Sequence, residues 1–264
     1  MFKMLIMKSK IFISFLLLFL YFNSFAQLQY KTGKLYLSPY ASIGASAILN
    51  QNNFGFGEMA YRFKPGKEVG ILFGYDNYLK TSFRFGVIYA EIGQKYGDIL
   101  LEIPHEKEIT LTYIQLPAVY KYVFGETKNY DYNELFKYIF GGIQIGYLIN
   151  ADVVWKRDGK EVEFYNFISY GPYEHDNKNL EEIRENGPIS SDLDFFSKID
   201  FSLVGGGGIQ FFIARRMMIF TELTGNIGIR DINAPKWRFR NNKKAYNSSL
   251  NLFAGLRLGI SYYP

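Results

Sequence analysis

The chain has 264 residues, a formal net charge of +5, 25 Gly, 22 Tyr, 25 Phe and no cysteine. The missing thiols exclude a lipoprotein anchor, a disulfide framework and any thiolate metal site or nucleophile, and so mild a positive charge gives no ground for nucleic-acid binding. Aromatics at 19% with a mean hydropathy near zero depart from ordinary soluble composition and suit strands that alternate between two environments.

The first ten residues carry Lys3, Lys8 and Lys10 and lead into the apolar run Ile11 to Phe22. Small Ser24 and Ala26 follow, the pattern of a signal peptide cleaved after Ala26. The run is too short for a bilayer core that needs about 20 helical residues. Residues 1–26 are therefore expected to be removed and 27–264 to form a single domain. Nothing later is long and apolar enough for a membrane helix, so a mature chain in a membrane has to be a closed barrel.

Taken in chain order, eight segments show the period-two alternation of strands with one face in lipid and one in a lumen: Lys34 to Leu49, Glu68 to Asn77, Ser82 to Tyr96, Glu108 to Phe124, Lys137 to Ala151, Phe201 to Ile213, Met217 to Arg230 and Leu250 to Tyr263. The last is the clearest. Leu250, Leu252, Ala254, Leu256, Leu258, Ile260 and Tyr262 alternate with Asn251, Phe253, Gly255, Arg257, Gly259, Ser261 and Tyr263. The expected fold is all-β: a closed antiparallel up-and-down transmembrane barrel of about eight strands with long extracellular loops.

The connections alternate in length. Those at 50–67, 97–107, 152–197 and 231–247 are long, those at 78–81 and 214–216 short and that at 125–136 intermediate, which puts every long loop on the outer side when the N-terminus is inside. Loop 152–197 holds 11 Asp/Glu against 5 Lys/Arg. Arg230, Lys236, Arg238, Arg240, Lys243 and Lys244 surround Trp237 in the next one, where they could meet lipopolysaccharide phosphates or the acidic loop.

The stretch Tyr113-Ile-Gln-Leu-Pro117 running into Lys121-Tyr122, with Gly141 to Leu148, Val204 to Ile209 and Thr224 to Asn233 after it, resembles the PorT-like outer-membrane β-barrel family over most of 108–263. The resemblance implies an eight-stranded outer-membrane barrel and carries over no catalytic residue. A member of that family is linked to protein secretion and gliding. Pro264 at the end and the length of loop 152–197 depart from its pattern.

Candidate functional residues are inward-facing and polar. Arg84, Gln115, Lys121, Gln144, Gln210, Glu222 and Arg257 are expected to form a lumen network, because eight strands leave an interior just wide enough for side chains to fill and buried charges demand partners. Pro117 in mid-strand predicts a bulge. Tyr122, Tyr262, Tyr263 and Trp155 are expected in interfacial girdles. His105 and His175 read as isolated loop histidines, and Asp192, Asp194 and Asp176 give only a faint calcium pattern. No phosphate loop, nucleophile elbow or metal helix is present in the sequence.

The expected function is thus a non-enzymatic barrel, without cofactor or metal, in contact with outer-membrane lipid and lipopolysaccharide and with other envelope proteins as candidate partners. A small-solute transport barrel or a PorT-like accessory factor in secretion stands beside it.

Overall fold

The computed structural model describes residues 34–50, 60–77, 80–100, 102–124, 135–163, 191–214, 216–238 and 246–264. The leader and its cleavage point lie outside them, as do His175, Asp176, Arg240, Lys243 and Lys244. The described elements are β1 (Lys34–Leu49), β2 (Tyr61–Asn77), β3 (Thr81–Leu100), β4 (Ile103–Phe124), β5 (Leu135–Arg157), β6 (Lys160–Glu161), β7 (Ile199–Ala214), β8 (Met217–Gly228) and β9 (Leu250–Tyr262). Two short 3-10 turns, η1 (Asp192–Phe195) and η2 (Pro235–Trp237), precede β7 and β9.

Every long strand pairs antiparallel with its sequence neighbours, β5 passing over the two-residue β6 to meet β7. The ring closes where the first strand meets the last, with Tyr40 opposite Gly259 and Ile48 opposite Asn251. Eight long strands thus form a closed up-and-down barrel. Val, Ile, Tyr and Phe supply the β preference, and closure leaves no barrel edge unpaired.

The two faces of the wall exchange character along the strands. Toward the short turns, outward positions are apolar and exposed: Phe83, Phe85, Val87 and Tyr89 on β3, Leu116 and Tyr120 on β4, and Ile139, Ile143, Ile145, Tyr147 and Ile149 on β5. Farther along the same strands, outward positions become Glu91 and Lys95, Glu106 and Glu108, Asp152 and Lys156. The inward positions there turn apolar, with Ile92, Tyr96, Ile109, Leu111, Val153 and Trp155 buried. An apolar belt therefore rings the barrel below a projecting wall that is greasy inside and charged outside.

That projection corrects the expected boundaries. The long loop anticipated at 97–107 is a tight turn, since β3 and β4 continue until Leu100 pairs with Ile103. Likewise β5 runs to Arg157 and returns through Asp158 and Gly159, both at positive φ (52° and 70°), into β6. Asp-Gly with two positive φ angles is the type I′ hairpin signature. Pro117 causes no bulge: Leu116, Pro117 and Ala118 stay in register with Ile145, Gln144 and Ile143. Its missing N–H falls where pairing with β3 skips from Phe85↔Ala118 to Ile88↔Gln115. The β4–β5 bulge is at Thr112/Tyr113 instead.

Candidate functional site

Eight strands bring their inward side chains to one axis, and these pack in three layers. Nearest the short turns, Tyr36, Val123, Phe136, Phe212, Met218 and Tyr263 form an apolar floor. Aromatic rings reach this density because glycines face them across the wall. A Cβ on Gly74 would lie 2.0 Å from the Tyr36 ring, and one on Gly208 2.8 Å from the Tyr138 hydroxyl.

The middle layer is ionic. Glu222 on β8 sits directly opposite Arg257 on β9 in the register and accepts a hydrogen bond from it at 3.1 Å. Its other oxygen accepts from Arg84, which reaches across from β3, at 2.5 Å, and from the Tyr138 hydroxyl at 2.8 Å. Arg257 also donates to Glu68 on β2 at 3.2 Å. Lys121 on β4 lies 3.7 Å from Asp76 and donates to Gln210 on β7 at 3.2 Å, and the Tyr263 hydroxyl donates to Asp76 at 2.6 Å. The guanidinium faces are covered by rings, Arg257 over Tyr40 at 4.2 Å and Arg84 over Phe140 at 4.9 Å. The cations Arg84, Lys121 and Arg257 are matched by the carboxylates Glu68, Asp76 and Glu222.

All seven residues expected in the lumen are buried inside the barrel. Arg84 and Arg257 both meet Glu222, and Lys121 meets Gln210. Gln115 and Gln144 lie apart from this chain, and Gln115 Oε1 and Gln144 Nε2 have no hydrogen-bond partner among the described residues. Sequence reasoning missed Glu68 and Asp76. Both alternate with apolar outward residues on β2 just as Arg84 does on β3, so the signal was present.

The outer layer is an apolar lid. Phe195 and Phe196, at the end of η1, and Ile232 and Trp237, around η2, are buried with Ile92, Ile109, Leu111 and Trp155. Phe195 and Trp237 have ring centroids 4.8 Å apart, and the two segments are joined by a bridge between Phe196 and Asn233. Asp231 ties the second segment to the start of β9: it accepts from Arg238 at 2.7 Å, from the Tyr246 hydroxyl at 2.8 Å and from the Ser249 N–H at 3.0 Å. Asp192 accepts from the Val153 N–H at 2.8 Å, closing the exposed side of β5.

Several expectations change here. Trp155 and Tyr263 point inward rather than into a girdle, Trp155 lying 4.5 Å from the Lys107 ammonium. Trp237 is buried in the lid, with the Lys236 ammonium 5.6 Å from its ring centroid. His105 is buried, its Nδ1 2.9 Å from the Ile103 carbonyl. No group of three or more His, Asp or Glu side chains among the described residues is placed to hold a metal ion.

No family model and no curated protein matches the chain. Solved structures similar to it are small outer-membrane barrels. Neisserial surface protein A is 11% identical, with 86% of this chain and 96% of that one covered and a TM-score of 0.41. The outer membrane protein OprG from Pseudomonas aeruginosa is 12% identical, with 89% and 97% covered and a TM-score of 0.42. Outer Membrane Protein W from E. coli is 13% identical, with 89% and 100% covered and a TM-score of 0.36.

Proposed function

We propose that the chain is a non-enzymatic outer-membrane barrel with a filled lumen, whose projecting wall and lid face the cell exterior and mediate surface or envelope contacts. One observation carries this reading: the exchange of face polarity along the strands. A soluble barrel would leave the belt's continuous apolar exterior in water, far beyond the few hundred Å² that soluble monomers expose. In a bilayer the same belt is satisfied, and the outward run Ile139 to Ile149 on β5 matches the roughly 9–11 tilted residues that a spanning strand needs.

The ionic layer supports a scaffold rather than a reaction, since each carboxylate in it is held by a cation and the lid and floor enclose it. Cleavage after Ala26 and the resemblance to the PorT-like family belong to the same proposal and are consistent with an envelope location. A role in secretion would follow from that resemblance alone.

The test is mobility on gels of outer-membrane samples before and after boiling, with single-channel recording on the purified protein. A heat-dependent shift without conductance steps is expected. A soluble, unshifted protein would remove the membrane reading, and steady conductance would replace the scaffold with a transport barrel.

A further inference from the structure

The projecting wall carries a feature that the scaffold reading leaves unused. On its outward face Arg62, Lys95 and Glu108 form one rung across β2, β3 and β4, and Gly97, Glu106 and Lys156 form the next across β3, β4 and β5. These six are among the residues lining a trough of about 680 Å³, whose third carboxylate, Asp98, accepts from the neighbouring Ile99 N–H at 2.8 Å. Gly97 makes the depression, because a Cβ there would meet nothing within 4 Å except the Arg62 guanidinium, at 4.0 Å.

Arg62 owes its outward position to a bulge. Below it the even-numbered residues of β2, such as Glu68 and Leu72, point inward, and the register shift between Phe63 and Lys67 turns Arg62 to the side of Lys95. Bulges that re-aim one side chain recur next to functional sites. Glu108 in the same rung is occupied by Lys64 at 2.9 Å and Lys95 at 3.3 Å. Arg62 and Lys156 make no ion pair among the described residues.

Height decides the ligand class. Lys67 and Glu91, paired at 3.0 Å, mark the upper rim of the belt on β2 and β3, and Lys95 and Gly97 lie about 10–15 Å above that rim at ordinary strand rise and tilt. An outward surface at that level faces the headgroups of neighbouring lipids rather than their acyl chains.

We propose that this trough binds the phosphorylated saccharide headgroup of an outer-leaflet glycolipid, the Arg62 guanidinium taking the phosphate and Glu106 and Lys156 the sugar hydroxyls. The inference rests on the outer-membrane reading. A guanidinium fork matches phosphate oxygens bidentately, and a carboxylate beside an ammonium supplies the acceptor and donors that hydroxyls need.

Native mass spectrometry of the mature barrel, released from mixed phosphatidylcholine and lipopolysaccharide micelles, counts the glycolipid retained. Retention is expected, falling at least about tenfold in Arg62→Ala, as loss of a charge-assisted bidentate contact gives. Comparable losses are expected in Gly97→Leu, which fills the trough, and with phosphatase-treated lipopolysaccharide. Lys137→Ala, at the opposite end of β5, serves as the control without effect. Equal retention by Arg62→Ala and Gly97→Leu in samples that keep their heat-dependent mobility shift overturns the proposal. So does competition by a dephosphorylated saccharide as strong as that of its phosphorylated form. Loss of the mobility shift in the unmodified protein would instead remove the membrane reading beneath it.

Discussion

Glu222 takes hydrogen bonds from Arg84, Arg257 and Tyr138 while fully enclosed, so it is the residue whose removal leaves most behind. Glu222→Gln keeps the volume but takes the carboxylate from Arg84 and leaves Arg257 with Glu68 alone, and breaking a buried pair on one side costs about 3–5 kcal/mol. The urea midpoint of the refolded barrel in detergent should drop accordingly, with Glu222→Gln well below Lys67→Ala at the exposed rim. Glycines separate into two kinds. Inward Gly74 and Gly208 have rings where a Cβ would go, so Gly74→Ala and Gly208→Ala are expected to destabilise. Outward Gly141 would meet only the Val204 carbonyl, at 3.9 Å; Gly141→Ala should be neutral or stabilise by about 0.5–1 kcal/mol through reduced backbone freedom in the unfolded chain. Equal losses at Gly74 and Gly141 would contradict this division.

At the level of elements, the eight long strands were legible because each carries one phase of alternation through the belt. Their outer halves were not, for a physical reason: at the rim the apolar residues change sides, so a scan for one greasy face stops at Tyr96 and resumes at Glu108 although the backbone continues. The β3–β4 turn also lacks turn chemistry, with Glu102 at a φ of 66° where Gly or Asn is usual. By contrast Asp158-Gly159 announced its hairpin and was passed over inside a stretch read as loop. The lid, whose two segments are far apart in sequence, needed the closed ring to bring Phe195 beside Trp237. Trp237→Ala should cost about 3–5 kcal/mol locally, seen as protease cleavage near residues 191–197 while the heat-dependent mobility of the barrel persists. Burial raises the Asp192 carboxyl above the usual aspartate range; the Val153 N–H pulls it down and Asp152 adds to the rise. Such a group holds a proton more readily docked than free, so its charge opposes docking at neutral pH and the opposition fades as pH falls through the raised value. Protection of the Val153 amide, corrected for intrinsic exchange, should increase from neutral pH toward mild acid. Asp192→Asn should abolish that trend.

For the whole molecule, the ionic layer draws Tyr40, Glu68, Arg84, Lys121, Tyr138, Gln210, Glu222 and Arg257 from all eight long strands. The layer therefore assembles only when every strand is in place, and the barrel should unfold in one step rather than strand by strand. Coincident urea transitions by tryptophan fluorescence, which reports Trp155 and Trp237 in the outer layer, and by circular dichroism would bear this out. Separate midpoints would contradict it. The seam between β1 and β9 adds a constraint in time. Lys34–Leu49 can gain its second neighbour only after Leu250–Tyr262 has been made, so any shorter length of the chain leaves both margins of the sheet unpaired. Unpaired margins of that kind are templates for pairing with other copies of the chain. A chain permuted to begin within the β3–β4 turn, with Pro264 linked to Lys34 so that Tyr263 is kept, would form that seam as a local hairpin and should refold faster.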